Sequence, residues 1–143
     1  MDNKNKQMKL LMIYCNKFGY SPAIKTLDMV EVNEEPVMYY NVQTAFIQVE
    51  EKDEQKEMEV AKKLLKNLKW VCRKNKTKKV ILHSFAHLSE SKASPEFTLK
   101  LFDQIEERLK NVGFEVKQTP FGYFLDLQVN APGFSLARVF KSF

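Results

Sequence analysis

The chain has 143 residues, 44% of them hydrophobic and 29% charged, with a formal net charge of +5. That length sets one domain with a real core, and no apolar run approaches the roughly 20 residues that a membrane helix needs. The first residues, Met1 to Lys9, are polar and carry no apolar stretch, so no secretory signal and a cytoplasmic location are expected.

Residues 1–7 read as a flexible extension ahead of a domain spanning 8–143. Met8 to Cys15 is a short apolar run and predicts a buried first strand. Asn16 to Pro22, with Gly and Pro, reads as a loop, and Ala23 to Glu31 as a weaker strand closed by a Glu34-Glu35-Pro36 turn. Val42 to Val49 is β-branched and aromatic, the composition of a strand. Asp53 is expected to start a helix, as cap or in the first turn. Its apolar face is Met58, Ala61, Leu64, Leu65, Leu68, Val71 and Cys72 at helical spacing. Val80 to His83 is a short strand. Ser94-Pro95-Glu96 combines a cap, a proline for the first helical position and an acid for the first turn. The buried stripe behind it is Phe97, Leu101, Ile105, Leu109 and Val112, stopped at Gly113. Phe114 to Gln118, Tyr123 to Val129 and Phe134 to Phe140 are read as strands, with a turn at Asn130 to Gly133. The resulting β-β-β-α-β-α-β-β-β order predicts an α/β fold: a single domain whose mixed β-sheet is covered by two helices.

The four glycines form no glycine-rich nucleotide loop, and Cys15 and Cys72 have no zinc spacing, so they read as reduced structural thiols. Both histidines lie in Val80 to Ser89. His87, after a strand end, can face a ligand crevice or sit on the surface bonded to its own loop. His83 reads as a structural strand residue. With no acid or thiol beside the histidines, neither a metal nor a cofactor is expected. Pro120-Phe121-Gly122-Tyr123-Phe124 joins two strands, and its aromatics can stack on a base or cap the core. Acidic residues crowd Glu50 to Glu59. Then Lys62, Lys63, Lys66, Lys69, Arg73, Lys74, Lys76, Lys78 and Lys79 follow without an acid between them. Such a run can hold a phosphate backbone, or it can simply complement a helix dipole and keep a face wet.

Phe85-Ala86-His87-Leu88-Ser89 together with Pro120-Phe121-Gly122, Met8 to Cys15, Ser94-Pro95-Glu96 and Val112 to Val116, resembles the N-terminal editing domain of archaeal threonyl-tRNA synthetases over nearly the whole chain. The resemblance implies a D-aminoacyl-tRNA-deacylase-like fold and removal of serine mischarged on tRNA(Thr). Binding alone separates two amino acids that differ by a methyl group by only about 1–3 kcal/mol, so a hydrolytic second sieve is needed. In that family a water attacks the ester with help from the RNA 2′-hydroxyl.

The resemblance places the family histidine at His87, as the catalytic candidate. The pocket becomes Phe85, Ala86, His87, Pro120, Phe121, Gly122, Tyr123, Phe124, Leu125 and Arg138, and tRNA contact falls to Lys62, Lys66, Lys69, Arg73 and Lys76. Three positions depart from the pattern. Leu125 stands where the family has a lysine, Phe124 where it has a tyrosine, and Arg138, after Gly133 and Leu136, where it has a glutamate. Two readings follow: an editing hydrolase of reduced or lost activity, or a non-catalytic tRNA-binding or structural module that keeps the fold. The expected partner is the aminoacylated 3′ end of tRNA, with a synthetase catalytic body and a second copy of the chain left open, and no membrane.

Overall fold

A computed structural model describes residues 7–25, 27 and 35–143. It is built on one long strand, β1 (Lys9–Lys25). On one side β1 pairs antiparallel with β2 (Val37–Gln48), from Lys9↔Gln48 to Tyr20↔Val37. Its other side is shared. β6 (Arg138–Ser142) takes the first half at Lys9–Ile13, and β5 (Tyr123–Asn130) takes the second half at Lys17–Lys25. Beyond β2 the sheet continues in parallel through β3 (Lys79–Ser84) and β4 (Glu115–Gln118). The strand order is therefore β4-β3-β2-β1-β5, with β6 also on β1.

The two parallel crossovers are the helices α1 (Glu57–Lys74) and α2 (Pro95–Asn111). Both cover the same face. Leu64, Leu68 and Val71 of α1 and Leu101, Ile105 and Leu109 of α2 bury against Leu10, Met12, Ala45, Ile47, Val80 and Leu82. Strand alternation sends the intervening side chains to the opposite face. There Cys15, Phe18, Tyr20, Val42, Phe46 and Ile81 form a smaller cluster that no described helix covers.

The first two expected strands are one. The stretch expected as a loop at 16–22 stays in register with β2, because Gly19 sits where a Cβ would come within 2.7 Å of the Met38 methyl and 3.0 Å of the Val37 carbonyl. Pro22 is tolerated at a bulge, where the register with β5 shifts between Pro22 and Ile24. Ala23–Lys25 continues β1, and the rest of the expected second strand lies mostly outside the described residues, as do residues 1–6 of the expected extension. β2 starts at Val37, five residues before the expected Val42.

α1 begins at Glu57 rather than Asp53. Asp53 sits in a preceding 3-10 turn, Glu51–Gln55, and its carboxylate accepts from the Glu50 amide at 2.7 Å. Met58 is 85% exposed, so it does not belong to the buried face, and Val60 takes that place. Val112 follows the last helical residue and is likewise exposed. The last strand is shorter than expected, because Ser135–Ala137 form a 3-10 turn ahead of β6. No described helix is long and apolar enough to cross a membrane.

Candidate functional site

A cavity of about 380 Å³ opens at the carboxyl ends of the parallel strands β2, β3 and β4, between the start of α2 and the start of β5. Strand ends of this kind expose backbone and side chains to a crevice, which is where α/β sheets bind ligands. The cavity wall contains Phe85, Ala86 and His87 on one side and Pro120, Phe121, Gly122, Tyr123, Phe124 and Leu125 on the other. The two segments, 35 residues apart in sequence, are brought together by the register of β3 with β4.

The first wall is an extension of β3. The Phe85 amide donates to the Ile47 carbonyl at 2.9 Å, one rung past the end of the ladder, and the chain then turns at Ala86 and His87. From there the loop is held by the end of β2. The buried Gln48 side chain accepts from the Leu88 amide at 2.6 Å and donates to the carbonyls of Ser89 at 2.9 Å and Ser91 at 2.7 Å. Ser89 Oγ donates to Glu50 Oε1 at 3.0 Å, and Glu50 Oε2 takes the Lys9 ammonium at 2.8 Å. The Ala93 amide returns to the Val49 carbonyl at 2.8 Å. His87 is exposed, its ring 5.0 Å from that of Phe85 in an edge-on contact. The amides of Ala86 and His87 take no protein partner among the described residues.

The second wall follows β4. The Thr119 amide donates to the Leu82 carbonyl at 3.0 Å, and Gly122 turns the chain at φ +84, a conformation that disfavours any side chain. Tyr123 and Phe124 then enter β5. Phe124 is 54% exposed at the cavity rim, while Leu125, opposite Pro22 of β1, is partly buried against the second cluster.

At the back of the cavity His83 is buried, its Nδ1 2.8 Å from Thr119 Oγ1. Burial first, and then the charge of nearby His87, push its pKa down to about 4, so the ring is neutral near pH 7. The thiols of Cys15 and Cys72 are pushed up by burial to about 11 and about 12, which removes both as nucleophiles. Among the described residues no group of three or more His, Cys, Asp or Glu side chains is placed to hold a metal ion.

Arg138 is not part of this wall. It pairs with Ile13 in the first half of β1, whereas Leu125 and Leu127 pair with Pro22 and Tyr20 in the second half. From Ile13 to Tyr20 the strand advances about 23 Å. Arg138 is exposed and absent from the lining, so the expectation that it enters the pocket is corrected by strand register.

Lys62, Lys66, Lys69 and Arg73 lie exposed along α1, and Lys76 follows its end; among the described residues none of the five is in an ion pair. The crossover has a consequence for them. α1 starts at the cavity end of the sheet and runs back to the opposite end, where Asn75 bonds Gln43 at 2.8 Å. Lys76 is therefore about 20 Å farther from the cavity than Lys62, at 1.5 Å per helical residue.

Sequence reasoning missed Gln48, Lys92 and Thr98, all of which line the cavity, and read His83 as a strand residue without a place in its wall. None sits in a recognisable motif. Gln48 is a polar residue ending a strand, and Lys92 is one lysine in a polar loop.

A family model described as the archaea-specific editing domain of threonyl-tRNA synthetase matches residues 8–143. The chain is 31% identical over 138 residues to a threonine–tRNA ligase of Thermococcus sibiricus, covering 94% of this chain and 22% of that protein. It is 30% identical to the enzyme of that name from Pyrococcus furiosus, with the same coverage. The Methanosarcina barkeri ligase is 29% identical over 137 residues. The chain thus spans about a fifth of the length of these relatives. Among solved structures, one titled c-Myc DNA Unwinding Element Binding Protein shares the fold, with a TM-score of 0.66 and 11% identity, over 94% of this chain and 97% of that one.

Proposed function

We propose that this chain, which belongs to the archaea-specific editing-domain family of threonyl-tRNA synthetase, takes the aminoacylated 3′ end of tRNA(Thr) into the cavity and slowly hydrolyses serine attached to it. The observation that carries this reading is the meeting of Phe85-Ala86-His87 with Pro120 to Leu125 around one cavity of about 380 Å³. That volume suits an amino acid and part of a nucleoside, and exposed Phe124 offers a face on which an adenine can stack.

The chemistry available is spare. Among the described residues no carboxylate lines the cavity. In the proposed reaction a water oxygen attacks the ester carbonyl. The amides of Ala86 and His87 receive the developing oxyanion, the carbon–oxygen bond to the ribose breaks, and the ribose oxygen takes up a proton. Serine and tRNA with a free 3′ end are released. Proton transfer falls to His87 and to the neighbouring 2′-hydroxyl of the RNA. Leu125 supplies neither charge nor hydrogen bond, so the rate is low.

The same lining favours a second reading, in which the domain binds tRNA and does not hydrolyse. A catalytic synthetase body, a second copy of the chain and a cytoplasmic location belong to both readings. Exposed Tyr40, Val129, Phe134 and Phe140 provide apolar surface for such partners. The deciding experiment is deacylation of seryl-tRNA(Thr) and threonyl-tRNA(Thr) by the purified chain. Release of serine faster than in buffer, with threonine spared, supports the editing reading. Binding without release supports the second.

A further inference from the structure

Given the reading of the cavity as a site for an aminoacylated terminal adenosine, we infer that Lys92 takes the phosphate that joins that nucleotide to the rest of the strand. Among the described residues Lys92 is the only lysine, arginine or acidic residue in the cavity wall. Its backbone is fixed on both sides. The Ser91 carbonyl accepts from Gln48 at 2.7 Å, and Ser91 Oγ accepts from the Glu51 amide at 3.1 Å. Ala93 is tied to Val49, and the Ser94 amide donates to Glu54 Oε2 at 2.9 Å. The side chain itself is exposed and enters no ion pair among the described residues. Of the acids around this loop, Glu50 holds Lys9 and Ser89 and Glu54 holds Ser94, while Glu90 and Glu96, nearest in sequence, are exposed and form no ion pair among the described residues. A cation on a rigid backbone at the rim of a cavity, with no anion paired to it among the described residues, is placed for an anionic ligand.

The ligand's own charges decide which part Lys92 meets. The aminoacyl group carries an ammonium, which repels a lysine, and the adenosine is neutral. The phosphate is the anion, and it faces solvent, as Lys92 does. Pro95 and Thr98 of the first turn of α2 also line the cavity, so the positive end of that helix adds to the field. Leu125 on the opposite wall contributes no charge, which leaves the anion to this side.

The test compares two stable analogues, 3′-deoxy-3′-(seryl)amino-adenosine and its 5′-monophosphate, by calorimetric titration at low and at moderate salt. The expected result is that the 5′-phosphate tightens binding to the native chain about tenfold, the scale of one charge-assisted hydrogen bond. That gain disappears in Lys92→Met, persists in Lys92→Arg and shrinks with salt. Equal affinity for the two analogues, or a phosphate gain that survives Lys92→Met, overturns the assignment while leaving the nucleoside site standing. If neither analogue binds, the nucleoside site fails and the phosphate site with it. Lys92 is a surface residue, so neither variant should disturb folding.

Discussion

His83 Nδ1 lies 2.8 Å from Thr119 Oγ1, a buried bond that ties the end of β3 to the residue following β4 at the back of the cavity. The imidazole packs among Phe18, Phe46 and Phe85, with the Phe46 ring 4.8 Å away, and those neighbours offer it no counter-charge.

That environment predicts an acid-sensitive contribution to stability. His83 titrates at about 4 in the folded chain against an ordinary 6.5. Between those values the unfolded chain binds a proton that the folded chain refuses. The stabilisation is complete above pH 6.5 and is lost as pH falls toward 4, with a ceiling of about 3 kcal/mol. The paired replacement His83→Phe with Thr119→Val should abolish this loss. Both residues are changed because a lone buried hydroxyl would add its own penalty of about 1–3 kcal/mol. Urea denaturation across pH 4 to 7 measures it, and an unchanged acid slope in the double variant would contradict it.

Asp53 is expected to act in the opposite direction. Burial is the main cause that pushes its carboxyl up from 3.8 to about 6, helped by the Glu50 charge and opposed by backbone bonds from Glu50 and Met8. As pH rises from 3.8 to 6 the folded chain keeps a proton that the unfolded chain has given up, so stability falls. Asp53→Asn retains an oxygen to accept the Glu50 amide and removes the titration. It should raise stability at pH 7 by up to about 3 kcal/mol. It should also expose the steeper His83 slope, since in the native chain the two effects oppose each other between pH 4 and 6. Loss of stability at pH 7 would mean that the charge itself is needed there.

Gln48 makes three hydrogen bonds to the loop that carries His87. Gln48→Leu keeps the volume and removes the acceptor of the Leu88 amide and the donor to the Ser89 and Ser91 carbonyls. Global stability should fall by roughly 2 kcal/mol, because each lost bond to a part-buried group costs about 1 kcal/mol and water recovers some of it. The sharper signal is local. Hydrogen exchange at the Leu88 amide should accelerate well beyond the change in global stability, and protection as high as in the native chain would show that the loop holds itself.

Much of this architecture was legible in the residues, for identifiable reasons. Ser94-Pro95 marks the start of α2 because a cap oxygen and a residue without an amide hydrogen fit the same helix end, and Ser94 Oγ does accept from Phe97 at 3.2 Å. The Phe85 and Phe121 segments could be matched by motif, and parallel pairing of β3 with β4 then joins them. What escaped is non-local. β1 hides behind Gly19 and Pro22, which resemble a loop until Met38 is seen packed over the glycine. Arg138 was assigned by its distance from Gly133, yet β5 and β6 occupy different halves of β1. Gln48 and Lys92 acquire meaning only when the 85–94 loop folds back on the end of β2.

The direction of α1 separates the basic run from the cavity and so predicts separable effects. Neutralising Lys69, Arg73 and Lys76 together should weaken binding of full-length tRNA and lower the slope of log affinity against log salt by about two to three. Binding of the 3′-seryl-amino-adenosine analogue should not change, since these side chains lie toward the opposite end of the sheet. An unaltered salt slope with tRNA would leave the run as a solvated helix face.

Leu125→Lys is the most direct probe of catalysis. Leu125 opposes Pro22 in β1 and packs partly against the cluster around Phe18 and Tyr20, so a lysine there forfeits some apolar contact. Its stem can lie along the same surface with the ammonium turned to the cavity, which limits the cost to about 1 kcal/mol. A cation facing the ester would stabilise the oxyanion, and deacylation of seryl-tRNA(Thr) should rise about 10- to 100-fold. Arg138→Glu, on β6 beside the far half of β1, should leave the rate as it was. If Leu125→Lys folds and adds nothing while the native chain already clears serine rapidly, the backbone amides and the RNA hydroxyl suffice. A rate gained instead from Arg138→Glu would mean that the catalytic centre lies toward β6, and not in the cavity at the ends of β2 and β3.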